Sequence, residues 1–272
     1  MVRSLWSAAS GMMAQQTNVD TIANNLANVN TTGYKAQQNQ FKSLLYQNLQ
    51  SKTTSANGES KPVGAQVGLG VRSAAISAVF EQGEINPTEN DTDFAIVGDG
   101  LFAVKGEDGQ TYYTRNGSFV WAINNNGGVT LTNSDGLPVL STAGSPIALD
   151  KKYMASRIEI DADGAVCYPD EKNNLKPIGP KIGVFQFRNP SGLDREGDSL
   201  YSATAASGAA INESTATGIE KSLIRQGYLE ASNVQVADEM VRLIVAQRAY
   251  ELNSKAITTT DTMMGQANQL KQ

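Results

Sequence analysis

The sequence predicts an α+β protein, with a long helix at each end and an all-β body of antiparallel hairpins inserted between them. Three observations carry that expectation. Val236, Leu243, Tyr250, Ile257 and Met264 recur every seventh residue towards the C-terminus, with Met240 between the first two. Leu5, Met12, Val19 and Leu26 repeat in the same way near the N-terminus. From Arg72 to Tyr201 the periodicity shortens to alternating apolar runs cut by Gly, Asn and Asp, the pattern of short strands and tight turns.

The first helix has a second row, Ala8, Gln15, Ile22 and Val29, so its stripe is the narrow seam of a coiled coil rather than a broad globular face. The stretch Leu5 to Met13 has a signal-like apolarity, but serines and a glycine interrupt it and the heptad runs on past any cleavage point, so it is expected to remain in the mature chain. Asn24, Asn25, Asn28 and Asn30 are costly in a solvated helix, because their amides compete with the helical backbone. Asn24 and Asn25, inside the heptads, are therefore expected to bond to specific neighbours. Asn28 and Asn30 read equally well as a fraying end, with Gly33 as the stop.

The last helix is expected from Ser232 onward. Ser232 and Gln235 have capping-box spacing, and Asp238 with Arg242 and Glu251 with Lys255 form acid-first pairs four residues apart. A helix from there to Leu270 would be about 55 Å long, more than an ordinary domain spans. Its stripe needs a partner, and the N-terminal stripe supplies one. The two helices are expected to pair as a coiled coil, with polar seam residues (Gln15, Gln247, Ser254, Asp261) setting register. Roughly ten residues of the longer helix would overhang the shorter. The division expected is 1–35 with 229–272 as a helical domain, 36–72 as an extended stretch, and 73–228 as the β domain.

Between these helices the elements follow in order. Residues 36–49 fit a helix or a strand equally, and Ser51 to Ala65 has the Ser, Thr, Gly and Asn content of a linker. Val67-Gly68-Leu69-Gly70-Val71 lacks the Lys-Ser/Thr and helix start of a phosphate loop. Ala95-Ile96-Val97 and Leu101-Phe102-Ala103-Val104 read as strands, as does Thr111-Tyr112-Tyr113-Thr114. Asn116-Gly117, Asn126-Gly127, Asp135-Gly136 and Asp163-Gly164 are dipeptides that close two-residue hairpins. In Asp161-Ala162-Asp163-Gly164 the glycine stands at the wrong place for a calcium loop, so it reads as a turn. Leu200 to Thr217 is Ala-, Ser- and Gly-rich and reads as irregular, after which Ile219 to Leu229 leads back to the last helix.

Composition narrows the function. Net charge is −5 and no basic cluster exceeds two residues, which argues against nucleic-acid binding. Histidine is absent and Cys167 is the only cysteine, so imidazole chemistry, the commonest zinc ligands and an intrachain disulfide are all excluded. Between Val166 and Tyr168, Cys167 reads as a packed thiol. No cofactor, metal or small-molecule substrate is expected, and no catalytic constellation is visible.

Two sets of residues resemble the bacterial flagellar rod and hook family of axial proteins. The first is Ala23-Asn24-Asn25-Leu26-Ala27-Asn28 with Thr32-Gly33-Tyr34-Lys35. The second is Ser232-Asn233-Val234, Glu239-Met240-Val241 and Gln247-Arg248-Ala249-Tyr250-Glu251-Leu252-Asn253-Ser254-Lys255. In the β body, the run from Ala95 to Phe102 and Tyr113-Thr114-Arg115-Asn116-Gly117-Ser118-Phe119 match as well. Arg3-Ser4-Leu5-Trp6, Leu44-Leu45-Tyr46-Gln47 and Gln226-Gly227-Tyr228-Leu229-Glu230 point to the distal part of the rod. The charged run Asp170-Glu171-Lys172-Asn173-Asn174 departs from the family pattern.

The resemblance implies a structural subunit that is not an enzyme, exported unfolded through the flagellar type III apparatus without a cleaved signal. It implies assembly outside the cytoplasmic membrane into a hollow helical tube, next to proximal rod and hook proteins and the ring proteins around the rod. The subunit interface would be carried by Leu5, Met12, Val19, Ile22, Leu26, Val29, Val236, Met240, Leu243, Tyr250, Ile257 and Met264. Asn24, Asn25, Asn28, Gly33, Ser232, Asn233, Gln247, Arg248 and Asn253 are the family-motif positions. Residues 36–72 resemble the rod-specific extension that packs between subunits. Three alternatives stay open: a sibling rod or hook protein, a cell-wall hydrolase using paired carboxylates, and a coiled-coil adaptor.

Overall fold

The computed structural model describes residues 2–50, 65–124, 127–170 and 174–270. Most of the linker-like stretch Ser51 to Ala65, Asn126 of one expected hairpin, and residues 171–173 of the charged run lie outside them. The architecture is α+β, with a helix towards each end and antiparallel strands between. The chain divides into two compact units, one comprising Met1–Ala27, Gln37–Ser77 and Gln235–Gln272, the other Asn28–Ala36 and Ala78–Val234. Residues 37–77 thus belong with the terminal helices, while 28–36 belong with the β body.

In the first unit, α1 (Val2–Ala27) and α2 (Val236–Gln269) run antiparallel. Gly11 lies against Asn253, and Asn25 bonds to Glu239, a register that places Val2 opposite Thr262. The stretch Met263–Gln269 of α2 therefore extends past the start of α1. The stretch left open between helix and strand is extended: β1 (Gln37–Ser43), β2 (Tyr46–Gln50), β3 (Ala65–Gly68) and β4 (Val71–Ala78). β1 pairs with β4, and β2 with β3. At the turn from β3 into β4, Gly70 has φ +117 and its missing Cβ makes room for the Ser10 side chain of α1. Ser10 Oγ accepts a bond from the Val71 amide at 3.3 Å.

α2 begins at Val236, with Gln235 as N-cap and no side-chain cap, so the expected capping box at Ser232 does not form. Ser232 Oγ instead accepts from the Val234 amide at 3.3 Å. The expected pairs four residues apart are replaced by pairs three apart, Glu239–Arg242 at 3.0 Å and Arg248–Glu251 at 2.9 Å. Glu239 is buried and held by Asn25, which draws Arg242 towards it and away from Asp238.

The second unit holds β5 (Ile85–Pro87), β6 (Phe94–Val97), β7 (Leu101–Lys105), β8 (Thr111–Thr114), β9 (Phe119–Ile123), β10 (Val129–Asn133) and β11 (Ala148–Leu149). It continues with β12 (Glu159–Ile160), β13 (Ala165–Pro169), β14 (Leu175–Lys181), β15 (Val184–Gln186), β16 (Asp194–Gly197), β17 (Leu200–Ser202), β18 (Ile211–Asn212), β19 (Leu223–Gln226) and β20 (Tyr228–Glu230). One six-stranded sheet has the order β16-β17-β8-β7-β15-β18; smaller ones are β11-β10-β9, β12-β13-β14, β19-β6 and β20-β5. The Ala-, Ser- and Gly-rich stretch expected to be irregular contributes β17, between β16 and β8, and the edge strand β18 to the large sheet.

β7 shows why this body is stable. Its side chains alternate, and both faces are buried. Phe102 and Val104 enter one core with Phe94, Phe119, Leu131, Val139, Ile147 and Val166. Leu101 and Ala103 enter a second, with Tyr113, Leu140, Phe187, Leu193 and Tyr201. Turns form where glycines allow positive φ, at Gly109, Gly136 and Gly164. Asn116-Gly117 is an exception to the hairpin expectation. There the chain leaves β8 for β9 in another sheet, and Gly117 is required because a Cβ would meet the Phe94 carbonyl. Among the described residues no helix is long and apolar enough to cross a membrane.

Candidate assembly interface

The motif residues fall into two groups, one in each unit. In the first, Asn25 is buried at 1 % exposure. Its Nδ2 donates to the Gln37 carbonyl at 2.8 Å, and its Oδ1 accepts from the Gln37 amide at 2.8 Å. One asparagine thus replaces a strand partner for the first residue of β1, while also donating to Glu239 Oε2 at 3.3 Å. This is the specific contact that an asparagine inside the heptads requires. Asn24 is exposed. Further along, Asn253 lies against Gly11, where any larger residue would collide with its amide. Gln247 is exposed, and Arg248 is an exposed partner of Glu251.

In the second unit, Asn28 Oδ1 accepts from Thr31 Oγ1 at 3.1 Å, closing the turn after α1. Gly33 is not the helix stop, since α1 has already ended at Ala27. Its φ is +67, and a Cβ there would lie 2.6 Å from the backbone of Arg115 and Asn116, so the position demands both a left-handed conformation and no side chain. Its amide donates to the Glu230 carbonyl at 2.8 Å. Asn233 ties three segments together. Its Oδ1 accepts from the Ala36 amide at 2.7 Å, and its Nδ2 donates to the Val79 and Glu81 carbonyls at 2.9 and 3.2 Å.

Around Gly33 lies a buried ionic cluster that no sequence motif assigned a role. Glu230 accepts from Lys35 Nζ at 2.7 Å, from Arg115 Nε at 2.5 Å and from the Gly83 amide at 2.8 Å. The side chains of Lys35, Arg115 and Glu230 are at most 3 % exposed. Arg115 also donates to the carbonyls of Gly100, Ile96 and Gly98, and Lys35 to that of Glu81. Burial holds the Lys35 ammonium below its ordinary range, against the opposing pull of Glu230. Arg195 donates to the Lys35 carbonyl at 2.8 Å and stacks over Tyr34 and Tyr201. The available signal was one charge per motif, two positive and one negative, each set among apolar neighbours in short strands. Such charges survive burial only as a paired, hydrogen-bonded set.

The seam residues sit differently. Ile22 is buried, whereas Leu5, Met12, Val19, Leu26, Val29, Leu243, Ile257 and Met264 are half-buried. Val236, Met240 and Tyr250 are exposed at 42, 52 and 42 %. The deepest positions on α1 are Ala8, Ala14, Thr21, Ile22 and Asn25, and on α2 Glu239 and Ala246. Apart from Ile22, small and polar side chains fill the middle of this unit, and several large apolar ones on α2 turn outward. Val241, Ile244, Val245 and Leu252 are 61, 55, 63 and 68 % exposed. On the strands of the same unit and the turn between them, Phe41, Leu45, Tyr46, Leu49 and Ile76 are 40, 83, 60, 54 and 49 % exposed. Scattered apolar surface is ordinary, whereas these side chains are concentrated on one helix and on the strands and turn of the same unit. Burial pushes the Cys167 thiol up, consistent with a packed, unreactive sulfur.

Comparison with known proteins agrees with this layout. Residues 5–35 match the family described as flagella basal body rod protein, and residues 225–270 the flagellar basal body rod FlgEFG protein C-terminal family. Residues 95–168 match the flagellar hook protein FlgE/F/G D1 domain. Among curated relatives, the flagellar basal-body rod protein FlgG of Borreliella burgdorferi is 46 % identical, covering 100 % of this chain and 99 % of its own. The FlgG of Agrobacterium fabrum is 40 % identical over 96 and 97 % of the two chains. That of Bacillus subtilis is 36 % identical over the whole of both. Motifs at both ends, the β body between them and full-length identity to several relatives all agree: the chain belongs to the flagellar basal-body rod protein family.

Proposed function

We propose that this chain is a structural subunit of the distal rod, the drive shaft of the flagellar basal body, and that it polymerises helically to carry torque to the hook. The observation that carries this reading is the outward apolar face of α2, where Val241, Ile244, Val245 and Leu252 are all more than half exposed. Covering the exposed half of each such side chain is worth about 1 kcal/mol. A surface repeated by a rotation that does not close builds a helical filament. The strands of 36–72, with Leu45, Tyr46 and Leu49 outward, form a second such surface, the counterpart of the rod-specific extension. The seam residues from Leu5 to Val29 and Val236 to Met264 contribute where they are half exposed, and the two helices act as coiled-coil strips completed by neighbouring copies.

In this reading the chain performs no covalent chemistry and takes no cofactor, nucleic acid or small-molecule substrate. Its partners are itself, the proximal rod and hook proteins, the type III export apparatus that passes it outward without cleaving a signal, and the rings around the rod. Electron microscopy of the concentrated full chain tests the reading, with helical filaments expected. An Ile244→Asp, Val245→Asp double variant should keep its helix content by circular dichroism and form none. A native chain that stays monomeric, or a double variant that assembles equally well, would refute it. In cells, loss of the chain should leave inner basal structures in place and abolish the hook.

A further inference from the structure

We propose that the free end of α2 in one subunit seats in a groove at the opposite end of the helix pair of the next, so that copies join tail to groove. The inference rests on the polymerising reading and names the contact that reading requires. The tail is Met263–Gln269, which runs past the start of α1 and has no helix opposite it among the described residues. Met263 and the following Leu270 are 54 and 89 % exposed. The last turn holds no basic residue, so the partial negative charge of its carbonyls is uncompensated from within the helix.

The groove has the complementary chemistry. It is a cavity of about 340 Å³ between the C-terminal half of α1, β1 and the first turns of α2, lined by Thr21, Asn39, Phe41, Val241, Arg242 and Val245. Phe41, Val241 and Val245 give it an apolar rim, exposed by 40, 61 and 63 %. Arg242 supplies the cation. Its Nη1 bonds to Glu239 at 3.0 Å, yet its side chain is 57 % exposed. Asn39 Oδ1 accepts from Ser73 at 2.6 Å, while its buried Nδ2 has no partner. Apolar walls, an accessible guanidinium and an unpaired N–H suit a helix end carrying Met263, Leu270 and the negative end of the helix dipole. Both halves occur on one chain, at opposite ends of the antiparallel pair, so the contact is heterologous, and it builds a filament where the rotation between copies does not close. The occupant is therefore a second copy of this chain.

Cross-linking in the assembled state tests the contact. In a full-length Cys167→Ser background, Val245→Cys and Met263→Cys variants are mixed, assembled and treated with a short bis-maleimide. Covalent dimers are expected from the mixture and from neither variant alone. Filaments that form without this link would overturn the tail-to-groove contact and leave polymerisation standing. Native chains that form no filament would overturn both. In parallel, Arg242→Glu should raise the concentration at which filaments appear about tenfold, with helix content unchanged. A shift under about twofold would also overturn the contact.

Discussion

Replacing Glu230 by Gln removes one charge from a site that holds three and changes almost nothing in shape. Among the described residues Glu230 is the only anion bonded to Lys35 and Arg115, at 2.7 and 2.5 Å, and all three side chains are nearly fully buried. In Glu230→Gln the two cations lose that counter-charge, and an amide N–H₂ stands where a carboxylate oxygen accepted. Breaking a buried pair by removing one member costs about 3–5 kcal/mol. Arg115 keeps three backbone carbonyls and Lys35 one, which favours the lower half of that range. For a unit of this size the loss lowers Tm by about 6–15 °C.

The pH dependence of that loss has a definite sign. The Lys35 pKa is already lowered in the folded protein, chiefly by burial, and Glu230 is the largest influence opposing that. Between the lowered value and the ordinary 10.5, the unfolded chain binds the extra proton, so this group's contribution to stability rises with pH. Without Glu230 the lowering deepens and the window widens downward. The destabilisation by Glu230→Gln should therefore be larger at pH 7 than near pH 10. Thermal and urea unfolding of monomeric chains at several pH values measures it. A loss below about 1 kcal/mol, or one independent of pH, would refute the account of the cluster.

Three further outcomes follow from the geometry. Gly33→Ala places a Cβ 2.6 Å from the Arg115 and Asn116 backbone at φ +67, and should cost at least about 2 kcal/mol in urea unfolding. Asn25→Ala leaves the Gln37 amide and carbonyl without their partner, which should cost about 2–3 kcal/mol and speed hydrogen exchange at the Gln37 amide. Burial raises the Tyr201 and Tyr113 phenols, so the folded state keeps those protons longer than the unfolded one. Their contribution is intact below pH 10 and is lost above it, and Tyr201→Phe should flatten the alkaline fall in stability.

The helices were legible because a seven-residue apolar repeat sustained over a long span seldom arises in anything but a helix with a narrow seam. Their facing residues were legible only in part. A reading weighted by hydrophobicity selects Leu5, Met12 and Met240; the middle of the unit holds Ala8 and Ile22 of the second row together with Ala14, Thr21, Glu239 and Ala246, which no apolar repeat marks. Large apolar residues left outward look the same in sequence as those turned inward. Asn25 was legible because a helix-interior asparagine is locally unfavourable and needs a specific bond to offset that. β1 was ambiguous because it buries only Asn39 fully, giving no alternation to read. The ionic cluster escaped because its members are separated by 80 and 115 positions, and pairing at that range leaves no periodic trace. Asn116-Gly117 misled for a related reason: its glycine answers to a carbonyl contributed by β6, not to a local turn.

One carboxylate late in the chain thus fastens a lysine from its early part and an arginine from its middle. Closing loops of that length is slow, and nothing shorter can substitute for the missing clasp. The body is therefore unlatched in any fragment that lacks either residue 35 or residue 230, and only a nearly full-length chain can shut it.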